Sequence, residues 1–130
     1  MLFQIFCLLA LIGTIESCTN RNVTVVGTVA CGNHKQQNVR IELLSPDDSL
    51  NKTVSDHEGN FHIYGEECEH FGIEPYLRIT HNCDGGVNNK RCIITDDFPI
   101  PKEFIDKKYD MGIVSLNIAR SNHKKTCTSL

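Results

Sequence analysis

Val23-Thr24-Val25-Val26-Gly27-Thr28-Val29-Ala30-Cys31 and Tyr76-Leu77-Arg78-Ile79-Thr80-His81-Asn82-Cys83 decide the fold. In both, apolar side chains alternate with polar or small ones, and both end on a cysteine. A period of two sends successive side chains to opposite faces, so each strand buries one face and wets the other. A cysteine at the end of such a strand offers a covalent tie at the rim of a sheet, where packing is weakest. Together they point to a small extracellular β-domain with a presenting or binding role.

Further strands flank these two. Val39, Ile41 and Leu43 alternate with Asn38, Arg40 and Glu42, and Ser45-Pro46-Asp47-Asp48 ends that run. Proline fixes φ there, and aspartates stabilise local turns. Lys52 to Ser55 reads as a short strand, Asp56-His57-Glu58-Gly59 as a turn, and Asn60-Phe61-His62-Ile63-Tyr64 as the returning strand. Gly65 to Glu74 reads as a surface loop with room for one helical turn at Glu66 to Phe71. Beyond Cys83, Asp84-Gly85-Gly86-Val87-Asn88-Asn89 is a connection and Arg91 to Thr95 a short strand. Phe98-Pro99-Ile100-Pro101 does not suit a central strand, because neither proline can donate to a ladder. Phe104 and Ile105 continue as a strand or edge segment, and Val114, Leu116 and Ile118 mark the last strand. From Ala119 onward the chain is polar and reads as a mobile tail. Seven or eight short strands at regular spacing favour an all-β sandwich with Greek-key connections.

Met1 to Ser17 reads as a secretory signal. Its apolar stretch, Leu2 to Gly13, is interrupted only by Gln4. That is shorter than the roughly 20 apolar residues a membrane-spanning helix needs. Cleavage after Ser17 would leave one domain, 18–130, with a core over about 23–118 and a polar tail over 119–130. Seven cysteines become six when Cys7 leaves with the signal: Cys18, Cys31, Cys68, Cys83, Cys92 and Cys127. An even set in a short secreted chain indicates disulfides, but composition leaves the connectivity open. The formal charge of −3 becomes −2 without Glu16, with 13 basic and 15 acidic residues remaining. No basic stripe accompanies that balance, which argues against nucleic acid as a partner. No amphipathic basic helix is present to lie on a membrane, and no second apolar run is long enough to cross one. Asn22-Val23-Thr24 and Asn51-Lys52-Thr53 are N-glycosylation sequons, with Asn51 the better placed after its turn-rich segment.

Five local patterns then occur in order. They are Gly27-Thr28-Val29-Ala30-Cys31, Asp56-His57-Glu58-Gly59-Asn60-Phe61, Glu74-Pro75 leading into Tyr76 to Cys83, Cys92 with Phe98-Pro99-Ile100-Pro101, and Tyr109-Asp110-Met111-Gly112-Ile113-Val114-Ser115-Leu116. This series, from Val23 to Ile118, resembles the secreted transthyretin-like family known chiefly from nematodes. The resemblance implies a sandwich of two four-stranded sheets, an extracellular location, and a binding or bridging role. The chain departs from the family pattern in lacking a proline after Cys31, and in carrying Cys18 and Cys68 beside the usual Cys31, Cys83, Cys92 and Cys127. In a sandwich of that type the last strand is expected antiparallel to the first, with one strand between them. That topology makes Cys18–Cys127 a rim staple and joins Cys31 to Cys83 or Cys92.

The transthyretin fold also carries 5-hydroxyisourate hydrolase, which the family pattern equips with a histidine on the first strand and a terminal Tyr-Arg-Gly-Ser. Here Val23 to Cys31 holds no histidine and the chain ends Lys125-Thr126-Cys127-Thr128-Ser129-Leu130. The titratable groups that acid–base chemistry would need are not in place, so no catalytic residue is assigned. The six histidines, His34, His57, His62, His70, His81 and His123, raise a metal site. No Cys-x-x-Cys occurs, and cysteines in an oxidising compartment are bridged rather than zinc-bound, so neither metal nor cofactor is assigned. The reading is a non-catalytic secreted module for a protein, glycan or lipid head group at the cell surface. The alternative is a carrier of a small hydrophobic ligand, as transthyretin is.

Overall fold

In the computed structural model residues 18–46, 48–70, 72–118 and 123–129 are described, so the 1–17 signal lies outside the described residues. The strands are β1 (Thr19–Cys31), β2 (His34–Lys35), β3 (Arg40–Ser45), β4 (Asp48–Val54), β5 (Asn60–Glu69) and β6 (Tyr76–His81). They continue with β7 (Cys83–Asp84), β8 (Val87–Asn88), β9 (Cys92–Pro99), β10 (Lys108–Ser115) and β11 (Lys124–Cys127). β2, β7 and β8 have two residues each; the eight others have four or more.

The strands form two facing sheets. In the first, β1 is central, with β10 on one side and β5 and the short β2 paired to it as well. The second has the order β11-β9-β6-β3-β4. β5 and β6 alternate buried and wet positions. Their inward residues Phe61, Ile63, Leu77 and Ile79 meet Val23, Val25 and Val29 of β1 and Ile41 and Leu43 of β3 in one core. Each fully buried Leu or Ile contributes about 1.5–3 kcal/mol. Gly65 in β5 has no room for a Cβ, which would stand 2.8 Å from side-chain atoms of Leu43 and Leu50, so the two sheets pack closely at this corner.

Several expectations are corrected. β10 lies directly beside β1 and parallel to it, with Thr24 opposite Lys108 and Ala30 opposite Ser115. The last strand of that sheet therefore ends at the rim where β1 ends, and the proposed Cys18–Cys127 staple is not formed. Cys18 bonds Cys68, Cys31 bonds Cys83, and Cys92 bonds Cys127.

The segment from Gly65 is not a loop: β5 runs on to Glu69, because β1 begins as early as Thr19 and their backbones pair from Thr28↔Asn60 to Thr19↔Glu69. Phe98 and Pro99 belong to β9 after all. β11 covers β9 only from Cys92 to Thr95, so Pro99 stands where that side of the ladder is already open and its missing N–H breaks no bond. Phe104 closes a short 3-10 turn, Lys102–Phe104, rather than joining a strand, since Pro101 sets the entry dihedral.

The tail is docked over its described part: β11 pairs with β9, and the Thr128 N–H donates to the Arg91 carbonyl at 2.8 Å. Polar residues hold it through hydrogen bonds and a disulfide, so hydrophobic alternation carried no signal of it.

Candidate functional site

The rim where β1, β6 and β10 end gathers the loops of the molecule. β1 closes on Cys31, 5.6 Å (Cα to Cα) from Cys83, so one disulfide joins the first sheet to the hairpin that follows β6. Both cysteines are 2% exposed. That hairpin turns at Gly85-Gly86, both at positive φ, which suits glycine in a two-residue turn. The Asn88 Nδ2 donates to Gln36 Oε1 at 2.7 Å, bridging the hairpin to the β2–β3 loop. The Ser55 hydroxyl pins that loop, donating to the Gln36 carbonyl at 2.6 Å and accepting from the Val39 N–H at 3.0 Å. The Leu116 N–H donates to the Ala30 carbonyl at 2.8 Å, bringing the end of β10 to the same rim.

Between these loops lies a pocket of about 210 Å³. Its polar wall comes from Gln36, Gln37 and Asn38 before β3, Asn82 after β6, and Asn88 and Lys90 around β8. Arg40, Thr80 and His81 and the apolar Val39 and Leu116 complete its lining.

Beneath the pocket sits a polar cluster. Asp96 of β9 is 1% exposed and His81 of β6 is 4% exposed. The Cys83 N–H donates to His81 Nδ1 at 3.0 Å, so Nε2 carries the proton and donates to Asp96 Oδ2 at 2.8 Å. On its other oxygen Asp96 accepts from His123 Nδ1 at 2.7 Å. One buried carboxylate thus fastens β6, β9 and the returning tail, and its hydrogen bonds remove the cost of burying it. Both ring nitrogens of His81 are therefore engaged, one by the Cys83 N–H and one by Asp96.

The sequence singled out His81 and His123 among the six histidines considered for a metal, but not Asp96, which joins them. A signal existed for Asp96: in Ile94-Thr95-Asp96-Asp97-Phe98 it occupies the inward parity between two buried residues. That His123 would return to Asp96 from a polar tail had no signal in the residue pattern.

The six cysteines among the described residues are all bridged. Lys125 Nζ stands 2.7 Å from Asp84 Oδ1 beside the Cys92–Cys127 bond, and this contact holds the Asp84 carboxyl below its usual range. Asn51 is exposed on β4, with Nδ2 donating to the Tyr64 carbonyl at 2.7 Å. Asn22 is half-buried on β1, where its N–H donates to Asp106 Oδ1 at 3.0 Å.

At the opposite rim, carboxylate oxygens of Asp48, Glu67 and Glu69 lie within 4.8 Å of one another. Burial, followed by the neighbouring Asp48 carboxylate, pushes Glu67 up to about 7. Its Oε2 is buried and has no hydrogen-bond partner among the described residues.

A model of the Transthyretin-like family matches residues 26–101, more than half of the chain. The chain belongs to the transthyretin-like family. Transthyretin-like protein 16 of Caenorhabditis elegans is 38% identical over 130 residues, covering 95% of this chain and 96% of that protein. Transthyretin-like proteins 46 and 33 of the same nematode are each 27% identical, covering 84% and 86% of this chain and 67% and 85% of their own lengths. For a transthyretin-like chain the rim pocket and the buried histidine–aspartate cluster are the features that set candidate chemistry. No described helix is long and apolar enough to cross a membrane.

Proposed function

We propose that this transthyretin-like protein is cleaved after Ser17 and acts outside the cell as a non-catalytic binding or bridging module. The loop rim around the 210 Å³ pocket recognises a protein, glycan or lipid head group. The observation that carries this reading is the fixing of that rim. A disulfide, the Ser55 hydroxyl and the Asn88–Gln36 bond hold three loops in one arrangement before any ligand arrives, which lowers the ordering cost of binding. Full pairing of the six cysteines supports passage through an oxidising compartment. Sequons at Asn22 and Asn51 fit the same route. For the carrier alternative the candidate place is the larger groove of about 560 Å³ on the outer face of the five-stranded sheet, where Ile41 and the exposed Val54 stand among Arg40, Glu42, Lys52 and Arg78.

Expression in a secretory host tests the reading. The chain should leave the cell beginning at Cys18, and labelled protein should bind intact cells or matrix saturably. Asn88→Ala removes the bridge between two rim loops and should weaken that binding several-fold without reducing secretion. A cell-retained form with residues 1–10 intact would sink the secreted reading. A tetramer carrying a co-purified hydrophobic molecule in native mass spectrometry would favour the carrier.

A further inference from the structure

The geometry points to an acidic-sugar site in the rim pocket: a carboxylate- or sulfate-bearing pyranose held by Arg40 and Lys90. This names a ligand class for the recognition surface proposed above and rests on that reading. The pocket wall carries these two cations and no carboxylate, although the chain as a whole has 16 acidic residues against 13 basic ones. Among the described residues neither Arg40 nor Lys90 has an ion-pair partner.

Acids nearby are engaged elsewhere. Asp84 binds Lys125, Asp96 accepts from the two histidines, and Asp56 accepts from the N–H groups of Glu58 and Asn60 in its own turn. An anion entering the pocket therefore meets uncompensated positive charge, and a guanidinium can grip a carboxylate or sulfate with two parallel hydrogen bonds.

The remaining wall selects a sugar. Gln36, Gln37, Asn38, Asn82 and Asn88 bring carboxamides, each with a donor and an acceptor side by side, the pattern that matches neighbouring hydroxyls. The volume of 210 Å³ suits about one pyranose ring. Val39 and Leu116, the apolar part of the wall, are themselves largely buried, so most of the named lining side chains are polar. Arg40 and Thr80 also line the outer-face groove, but there Lys52 faces Glu42 and Arg78 is paired with Asp97, so the unpaired cations are those of the pocket.

The test uses the secreted, fully oxidised chain and isothermal titration at low and physiological salt. Four probes are compared: a hyaluronan tetrasaccharide (carboxylates only), a heparin tetrasaccharide (sulfates and carboxylates), neutral chitotetraose, and vesicles containing phosphatidylserine. At least one acidic tetrasaccharide should bind, weakening with salt, and the pair of responses tells carboxylate from sulfate recognition. Arg40→Gln and Lys90→Gln should each weaken that binding about tenfold with Tm unchanged. Lys108→Gln, an exposed cation on the other sheet, should leave it unaltered.

Equal binding of chitotetraose, indifference to both substitutions, or equal loss with Lys108→Gln would overturn the inference. Binding confined to the vesicles would overturn it in favour of a lipid surface. Failure of both acidic tetrasaccharides at millimolar concentration would overturn the sugar class alone, because the secreted-module reading is decided by the cell-binding experiment.

Discussion

The two rims of this sandwich are built on opposite principles. At the rim where β1 ends, the Cys31–Cys83 bond is buried and reaches from the four-stranded sheet to the loops of the other. The buried polar side chains there, Ser55, His81 and Asp96, are paired. At the rim where β1 begins, Cys18–Cys68 lies at the outer end of a ladder that already pairs β1 with β5, and Cys68 is exposed. Carboxyl groups crowd there, and one buried oxygen of Glu67 has no partner among the described residues. A rigid, satisfied rim is suited to holding a recognition surface, whereas a crowded one responds to pH.

The sharpest way to break that contrast is to cut the disulfides one at a time. They enclose almost the same length of chain, with sequence separations of 52 and 50, so a pure chain-entropy account makes them equal at about 4 kcal/mol. We expect Cys31→Ala with Cys83→Ala to cost that full amount or more, about 4–5 kcal/mol in urea unfolding, because it also unties two packed layers. Asp96→Ala comes next, at about 2–4 kcal/mol, since it leaves two histidine N–H groups without their acceptor. Asp96→Asn, which keeps one acceptor, should cost less.

Cys18→Ala with Cys68→Ala should cost only about 1–2 kcal/mol, because the strand ends it joins can fray without opening the core. Equal losses from the two disulfide pairs would erase the distinction drawn between the rims.

The smallest effect is a titration. Folding raises Glu67 from 4.5 to about 7, so the folded state holds this proton more tightly than the unfolded chain does. The resulting stability is fully present below pH 4.5 and is lost as pH rises through about 7. Glu67→Gln should therefore raise Tm at pH 8 by about 3–5 °C, roughly 1 kcal/mol after allowance for solvent screening. The gap should close below pH 4.5. A constant gap across pH in thermal melts would show that Glu67 is not the titrating group.

Where side chains alternate between core and water, residue order alone was enough: β3, β6 and the returning part of β5 follow from period two and their turns. What escaped is held by backbone pairing and polar contacts. β5 continues through Gly65, Glu66 and Glu67 because β1 supplies a partner strand, not because those residues prefer extension. β11 is four exposed residues, Lys124–Cys127, positioned by a disulfide and by His123 on Asp96. The parallel placement of β10 depends on which edge of β1 is open, a global property that local alternation cannot express. At the rim pocket, Arg40 and Lys90 are unremarkable in sequence; only the fold brings them to one pocket.

The parallel pairing of β10 with β1 sets a schedule for the nascent chain. Val29 finds Val114 only after more than 80 further residues have been made, so the first strand leaves the ribosome with one edge open and waits. β5 can close the other edge early, which brings Cys18 beside Cys68, and Cys83 emerges in time to meet Cys31. Cys127 is the last cysteine to appear, so the bond to Cys92 forms at the end of synthesis. Pulse-labelled chains trapped with an alkylating agent should show this bond last, and early trapping of Cys92–Cys127 would refute the order. During that interval the open edge of β1 is the part of the molecule most exposed to a wrong partner, until β10 arrives to cover it.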